Sequence, residues 1–176
     1  MREPTHYATL VPDTSVLVEG LVSAKIEDND IEVETIVVHE FAIAFFEHLA
    51  TQNKAAGFLG LDELEKLRDY SSKLNFKLEF IGKKPHPMEL RNMTSDEVDS
   101  EIRDLAYEQD ATLFTSDKVQ WRIAQTKGIL VLYVKPSAKP KPIALDSFFD
   151  EQTMSLHLRE DVAPMAKKGV PGNWNF

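Results

Sequence analysis

The stretch Leu10-Val11-Pro12-Asp13-Thr14-Ser15-Val16-Leu17 leaves few folds open to the chain that carries it. An apolar run that stops at an acid and two hydroxyl residues, then resumes at helical spacing, is a buried strand passing into a helix through a very short turn. Asp13 then stands at the carboxyl end of the strand, the end at which open parallel α/β sheets bind their ligands. Thr14 and Ser15 are placed to cap the helix through their hydroxyls. Taken singly, Asp13 reads as a helix cap and nothing more.

The same junction recurs along the chain. Thr35-Ile36-Val37-Val38 is β-branched and apolar, as a strand buried on both faces should be. After it, Glu40 opens a helix with Phe41, Ala42, Phe45 and Leu49 on one stripe, and a negative charge in that first turn suits the helix dipole. His39 is expected to make a local hydrogen bond. Ala111-Thr112-Leu113-Phe114-Thr115 is another buried strand, ended by Ser116-Asp117, followed by a helix over 118–126 that Gly128 closes. Residues 129–134 form a last core strand.

Between these units, residues 16–24 continue the first helix and 25–34 read as a charged surface loop. Gly57-Phe58-Leu59-Gly60 breaks the helical pattern, and a leucine stripe predicts a helix over 61–74. Residues 76–81 alternate apolar with charged and read as a strand near a sheet edge, and Pro85 and Pro87 punctuate the loop after it. Ser95 is the expected N-cap of a helix from residue 96, with Val98, Ile102, Leu105 and Ala106 buried. Asp99 emerges at the border of that face; Glu97, Glu101 and Asp104 lie further round. Strand and helix alternate as far as Val134, which predicts a three-layer α/β/α fold around a mainly parallel twisted sheet.

With 176 residues and 43% hydrophobic content, the chain has material for one well-buried domain, assigned to residues 1–135. Residues 136–176 read as a Pro- and Lys-rich linker, 136–142, and a C-terminal extension. Trp174 and Phe176 at a free end would be frayed and wet, so the natural chain is expected to continue into a further domain. The absence of cysteine excludes disulfides, thiolate metal sites and a cysteine nucleophile. The five histidines, His6, His39, His48, His86 and His157, are scattered and form no HExxH pattern. There is no apolar run of the ~20 residues that a membrane span needs, and no signal-peptide layout at the start; a cytoplasmic protein is expected.

A net charge of −9 should repel phosphate backbones. The deficit lies in the first 134 residues, because the rest carries six basic against five acidic side chains. Asp13, Glu40 and Asp117 each follow a core strand, and Asp99 opens a helix in the same layer, so a parallel topology lets all four meet on one rim. Each carboxylate pair at about 4 Å costs on the order of 4 kcal/mol at an effective dielectric of 20, so a cation belongs between them. Oxygen ligands without sulfur or clustered histidine favour Mg²⁺ or Mn²⁺. A metal would turn the acidic deficit into a requirement, since carboxylates recruit the ion and the ion binds phosphate.

Asp13-Thr14-Ser15 after a strand, Glu40 at a helix start, Asp99-x-x-Ile102-x-x-x-Ala106 in a helix and Thr115-Ser116-Asp117 after a strand resemble, in order and spacing, the PIN domain nucleases. The resemblance spans roughly residues 9–134. It implies one or two divalent ions that activate water to cut single-stranded or flap-like RNA or DNA, leaving a 5′-phosphate. Asp13 and Asp117 would be the central ligands and Glu40 and Asp99 would complete the set, directly or through water. Ser15, Thr115 and Ser116 would orient a ligand or water. Asp104, Glu97 or Glu101 takes the place of Asp99 if the helix phase is shifted. Residues 154–159 and 163–172 resemble the connector of archaeal proteins that join an N-terminal PIN domain to a hexameric ATPase, which implies a homo-oligomer, hexameric through that ATPase. The competing readings are a non-catalytic PIN module that positions nucleic acid or assembles a motor, and an aspartate-nucleophile phosphatase. The second wants an acid where Ser15 stands, and a receiver domain wants a lysine site with no counterpart here. The sequence displays no RNA-type aromatic platform, no sequence-reading element and no clear basic groove.

Overall fold

The computed structural model of the chain describes residues 3–86, 89, 92–135, 148–160, 162–170 and 172–175. It divides into two compact units, Met1–Lys135 and Pro136–Phe176. In the first, β1 (Thr5–Pro12) starts exposed and ends with Leu10 and Val11 fully covered, as the middle strand of a sheet must. It leads through Asp13 into α1 (Thr14–Val18), and α2 (Leu21–Glu27) follows. Then come β2 (Ile31–His39), α3 (Glu40–Thr51), α4 (Ala55–Leu74) and β3 (Lys77–Ile81). The unit closes with α5 (Ser95–Glu108), β4 (Thr112–Thr115), α6 (Lys118–Thr126) and β5 (Val131–Tyr133).

The five strands lie in the order β3-β2-β1-β4-β5, and every pairing is parallel. Helices flank this sheet, which makes the fold the α/β architecture that the alternation of elements predicts. Leu10, Ile36, Val38, Phe46, Leu67, Ile102, Leu113 and Phe114 are among the side chains that fill its core.

Several local expectations are corrected. The first helix is interrupted: Gly20 adopts φ 66, a left-handed conformation that glycine takes without penalty, and the chain restarts as α2. Residues 31–34 belong to β2, because buried Ile31 and Val33 alternate with exposed Glu32 and Glu34. Gly57 and Gly60 do not break a helix; they lie inside α4 so that it can approach α3. A Cβ on Gly57 would stand 2.3 Å from the Ala50 backbone nitrogen, and one on Gly60 would stand 2.7 Å from the Phe46 ring. The cap of α5 is Thr94, not Ser95: its hydroxyl accepts the Glu97 N–H while the Glu97 carboxylate accepts the Thr94 N–H, a capping box.

The second unit holds an antiparallel sheet of β6 (Thr153–Arg159), β7 (Val162–Val170) and β8 (Asn173–Asn175), in that order. Residues 163–170, read from sequence as connector, are part of β7. Lys168 pairs with Asp150, and the Lys167 ammonium lies 3.7 Å from the centre of the Trp174 ring. The linker at 136–142 and residues 143–147 lie outside the described residues.

Candidate functional site

The strand order places a topological switch between β1 and β4: the chain moves outward from β1 through β2 to β3, then returns to the other side of β1 for β4 and β5. Crevices at the carboxyl ends of such neighbours are where open α/β sheets bind ligands. Asp13 follows β1 and Asp117 follows β4, so the two flank the switch. Pro12 is paired with Phe114, and the Asp13 N–H donates to the Phe114 carbonyl at 2.9 Å. On the other side, Leu10 is level with Ile36, which brings Glu40 to the same rim at the end of β2.

Both aspartates are helix N-caps as well as rim residues. Asp13 Oδ1 accepts from Ser15 N (3.0 Å), Val16 N (3.2 Å) and Ser15 Oγ (2.6 Å). Asp117 Oδ1 accepts from Val119 N (2.5 Å) and Gln120 N (2.9 Å). The two helix starts are stitched together by hydroxyls. Ser116 donates its N–H to Ser15 Oγ at 3.0 Å and its own hydroxyl to Glu19 Oε1 at 2.9 Å. Thr115 Oγ1 accepts the Asp117 N–H at 2.9 Å. The hydroxyls of Thr14 and Ser15 thus do not cap α1, as the sequence suggested; Asp13 does. Thr14 reaches instead to Asp99 Oδ1 at 3.3 Å.

Asp99 is the member of α5 that faces this group, as the helix phase predicts. Asp104 points elsewhere and pairs with Lys127 at 2.7 Å, and Glu97 is engaged in the cap of its own helix. Glu97 and Glu101 line a separate cavity of about 460 Å³ with Phe41, Glu89, Asn92 and Met93. That lining includes none of the four candidate acids.

Electrostatics set Asp13 and Asp99 apart from ordinary carboxylates. Burial pushes Asp13 up to about 6, against the pull of the Ser15 and Thr115 hydroxyls and the Ser15 and Val16 N–H groups. Asp99 is pushed up to about 7, first by burial, then by the charge of Asp13 and, less strongly, that of Asp117; the Thr14 hydroxyl pulls the other way. These mutual effects bring Asp13, Asp99 and Asp117 into one electrostatic group. Glu40 shares their rim without a hydrogen bond to any of them among the described residues. Its neighbour His39 is buried, accepts the Phe41 N–H on Nδ1 at 3.0 Å and is held below the ordinary histidine range by desolvation.

One atom distinguishes Asp13 from the other acid buried among the described residues. Glu63 uses both oxygens, Oε1 for the Ser23 N–H at 2.7 Å and Oε2 for the Ser23 hydroxyl at 2.8 Å, and so ties α2 to α4. Asp13 is fully buried, yet its Oδ2 has no hydrogen-bond partner. A buried acceptor left unpaired is costly, so it marks a place where a ligand is of use. Among the described residues, no three or more histidine or acidic side chains stand in an arrangement that could by itself hold a metal ion.

Sequence reasoning missed Glu19, Arg103 and Gln120. Buried Arg103 hydrogen-bonds Gln120 Oε1, whose amide donates to the Asp99 carbonyl at 3.0 Å, so this pair fixes α5 on α6. Helical spacing could have pointed to Glu19, four residues after Ser15, and to the side of the helix that Arg103 shares with Asp99, but not to the contact of Arg103 with Gln120.

No family model matches the chain. An uncharacterized KH and PIN-domain containing protein of Methanocaldococcus jannaschii is 36% identical over 160 residues, covering 91% of this chain and 25% of that protein. The Holliday junction branch migration ATPase PINA of Sulfolobus acidocaldarius is 30% identical over 167 residues, covering 95% of this chain and 30% of that protein. This chain therefore spans between a quarter and a third of the length of these relatives. Among solved structures, a domain of a functionally unknown protein from Methanocaldococcus jannaschii superposes with a TM-score of 0.70 at 29% identity, over 79% of this chain and 99% of that one. With two PIN-named relatives aligned along nearly its whole length, and its aspartates at the switch point of a parallel sheet, the chain belongs to the PIN-domain family.

Proposed function

We propose that this chain is a nuclease module that hydrolyses phosphodiester bonds in single-stranded or flap-like RNA or DNA, with Mg²⁺ or Mn²⁺ held by Asp13, Asp117, Asp99 and Glu40. The observation that carries the reading is the buried, unpartnered Oδ2 of Asp13 beside Asp99 and Asp117. The donors are carboxylate and hydroxyl oxygens, the set that suits hard divalent cations. A cation among them would also offset the burial, and the repulsion from Asp13 and Asp117, that together push Asp99 up to about 7. When bound, such an ion supplies positive charge to the phosphate and acidifies water.

The residues divide the remaining work. Asp13 and Asp117 each keep Oδ1 in a helix cap, which leaves the second oxygen to serve as a ligand. Asp99, raised toward neutrality by burial and its acidic neighbours, would complete the ligand set as a carboxylate when a cation is bound. Glu40 closes the set from the β2 side, and Ser15, Thr115 and Ser116 orient a phosphate oxygen or a water at the rim.

The name of the Sulfolobus relative, a Holliday junction branch migration ATPase, supports a wider setting in which the module belongs to an ATPase that acts on nucleic acid; the assembly proposed with it is a homo-oligomer, hexameric through that ATPase. A second reading has its own observation. A non-catalytic PIN module that positions nucleic acid or assembles the motor agrees with the absence, among the described residues, of a ready-made cluster of three metal ligands.

Cleavage of labelled single-stranded, flap and branched strands by the full-length protein in Mn²⁺ separates the two. The nuclease reading expects 5′-phosphate products that vanish with EDTA; intact strands across all three substrates would overturn it.

A further inference from the structure

Trp121 and Tyr133 stack face to face, with ring centres 4.8 Å apart and planes 15° from parallel. Neither ring belongs to the hydrophobic core or to the half-buried side chains packed against it. The backbone places both residues next to the end of β4 that carries Asp117. Trp121 is one helical turn after Asp117, and its backbone N–H donates to the Asp117 carbonyl at 3.0 Å. Tyr133, at the carboxyl end of β5, is level with Thr115. The aromatic pair therefore continues the same rim by one strand, from β4 out to the edge strand β5.

The charge around it runs against that of the whole chain. In a protein of net charge −9, α6 contains no acid and carries Lys118 and Arg122, one turn apart and both exposed. Lys118 is three residues before Trp121 and so shares its side of the helix. Neither cation forms a salt bridge among the described residues, whereas Lys127, at the end of the helix, is paired with Asp104. An aromatic face with cations beside it is the chemistry that holds single-stranded nucleic acid, the ring stacking on a base and the cations meeting the backbone.

We infer that the stacked Trp121–Tyr133 pair, with Lys118 and Arg122, is a base-stacking subsite for an unpaired nucleotide of a single strand whose backbone then crosses the rim at Asp117. The inference deepens the nuclease reading and takes from it the position of the phosphate to be cut. It explains how a strongly acidic chain engages a polyanion: affinity comes from one acid-free helix and one aromatic stack, while the carboxylates next to them repel the strand until a cation joins them. It also makes the subsite selective for unpaired bases, since a base within a duplex has its faces covered by its neighbours.

The test is binding of a fluorescent oligothymidylate to the full-length protein in EDTA, so that cleavage plays no part. The same strand with abasic sugars in place of its bases is the comparison. The wild type is expected to bind the base-bearing strand about ten- to a hundredfold more tightly than the abasic one. Trp121→Ala should erase most of that preference and Trp121→Phe should restore it, while Lys118→Ala and Arg122→Ala should weaken both strands alike and flatten the salt dependence. In the 176-residue chain carrying Trp174→Phe, where Trp121 is the one indole left, its quenching should saturate with the bound strand. Equal affinity for the two strands, or a base preference that survives Trp121→Ala, would overturn the subsite. So would a loss of self-association in Trp121→Ala with oligonucleotide binding unchanged, which would assign the rings to a contact between copies. Cleavage by the wild type in Mn²⁺ is read separately, so the subsite can fail while the nuclease reading stands, and the reverse.

Discussion

Ser116 donates its backbone N–H to the Ser15 hydroxyl at 3.0 Å across 101 residues of sequence, and that hydroxyl donates in turn to Asp13 Oδ1 at 2.6 Å. One oxygen thus connects the end of β4 to the acid at the end of β1. Ser15→Ala removes a donor from a buried carboxylate and leaves the Ser116 N–H without its acceptor. The expected cost is about 1–3 kcal/mol of stability, read from the midpoint of urea unfolding. Ser15→Thr, which keeps the hydroxyl, should recover part of it.

Asp13→Asn and Asp117→Asn should keep the fold, because asparagine caps a helix about as well as aspartate. Cleavage in Mn²⁺ should fall by orders of magnitude in both. Mn²⁺ should raise the melting temperature of the wild type, since an ion that binds only the native state stabilises it. Asp13→Asn should lose that rise. An equal rise in wild type and variant would place the ion elsewhere.

The pH dependence follows from Asp99. Its folded pKa of about 7 is above the ordinary aspartate value of 3.8, so between these limits the native state holds a proton that the unfolded chain has released. Stability in EDTA is therefore expected to fall as pH rises from about 4 through 7, with the contribution fully present below the window and lost above it. Asp99→Asn should lessen that slope in urea titrations run from pH 5 to pH 8, leaving the part contributed by Asp13, itself pushed up to about 6. The stabilisation by Mn²⁺ should grow over the same range, because the ion displaces the proton.

The α3–α4 contact gives a prediction remote from the chemistry. Gly57→Ala drives a methyl into the Ala50 backbone at 2.3 Å, whereas Gly60→Ala meets the Phe46 ring at 2.7 Å. Overpacking costs about 1–3 kcal/mol, against about 1 kcal/mol gained in helix propensity. A side-chain ring can rotate away and backbone cannot, so Gly57→Ala should lower the melting temperature clearly more than Gly60→Ala.

The residues that made the sheet legible are those whose burial is forced by their neighbours in sequence. Val11 and Val38 sit in runs apolar enough to be strands buried on both faces, and Asp99 could be phased from Val98 and Ile102 because one helix repeat governs all three. Legibility ended where a residue answers to a distant partner. Gly57 looked like a helix breaker because Ala50, which excludes a side chain there, is on another helix. Ile31 and Val33 sat among charges and read as loop until β1 paired with them. Arg103 and Gln120 meet across 17 residues, and no local pattern announces that contact. The Trp121–Tyr133 stack was hidden for the same reason, its two rings coming from a helix and a strand.

The capping bonds of Asp13 and Asp117 have a thermodynamic consequence. The amides of Val16 and Gln120 that begin α1 and α6 are held by the same carboxylates that line the crevice. Fraying of either first turn and dispersal of the acids are then a single opening event, not two. Hydrogen exchange at those two amides reports the lifetime of the assembled crevice directly, and a ligand that grips the aspartates should slow both amides together.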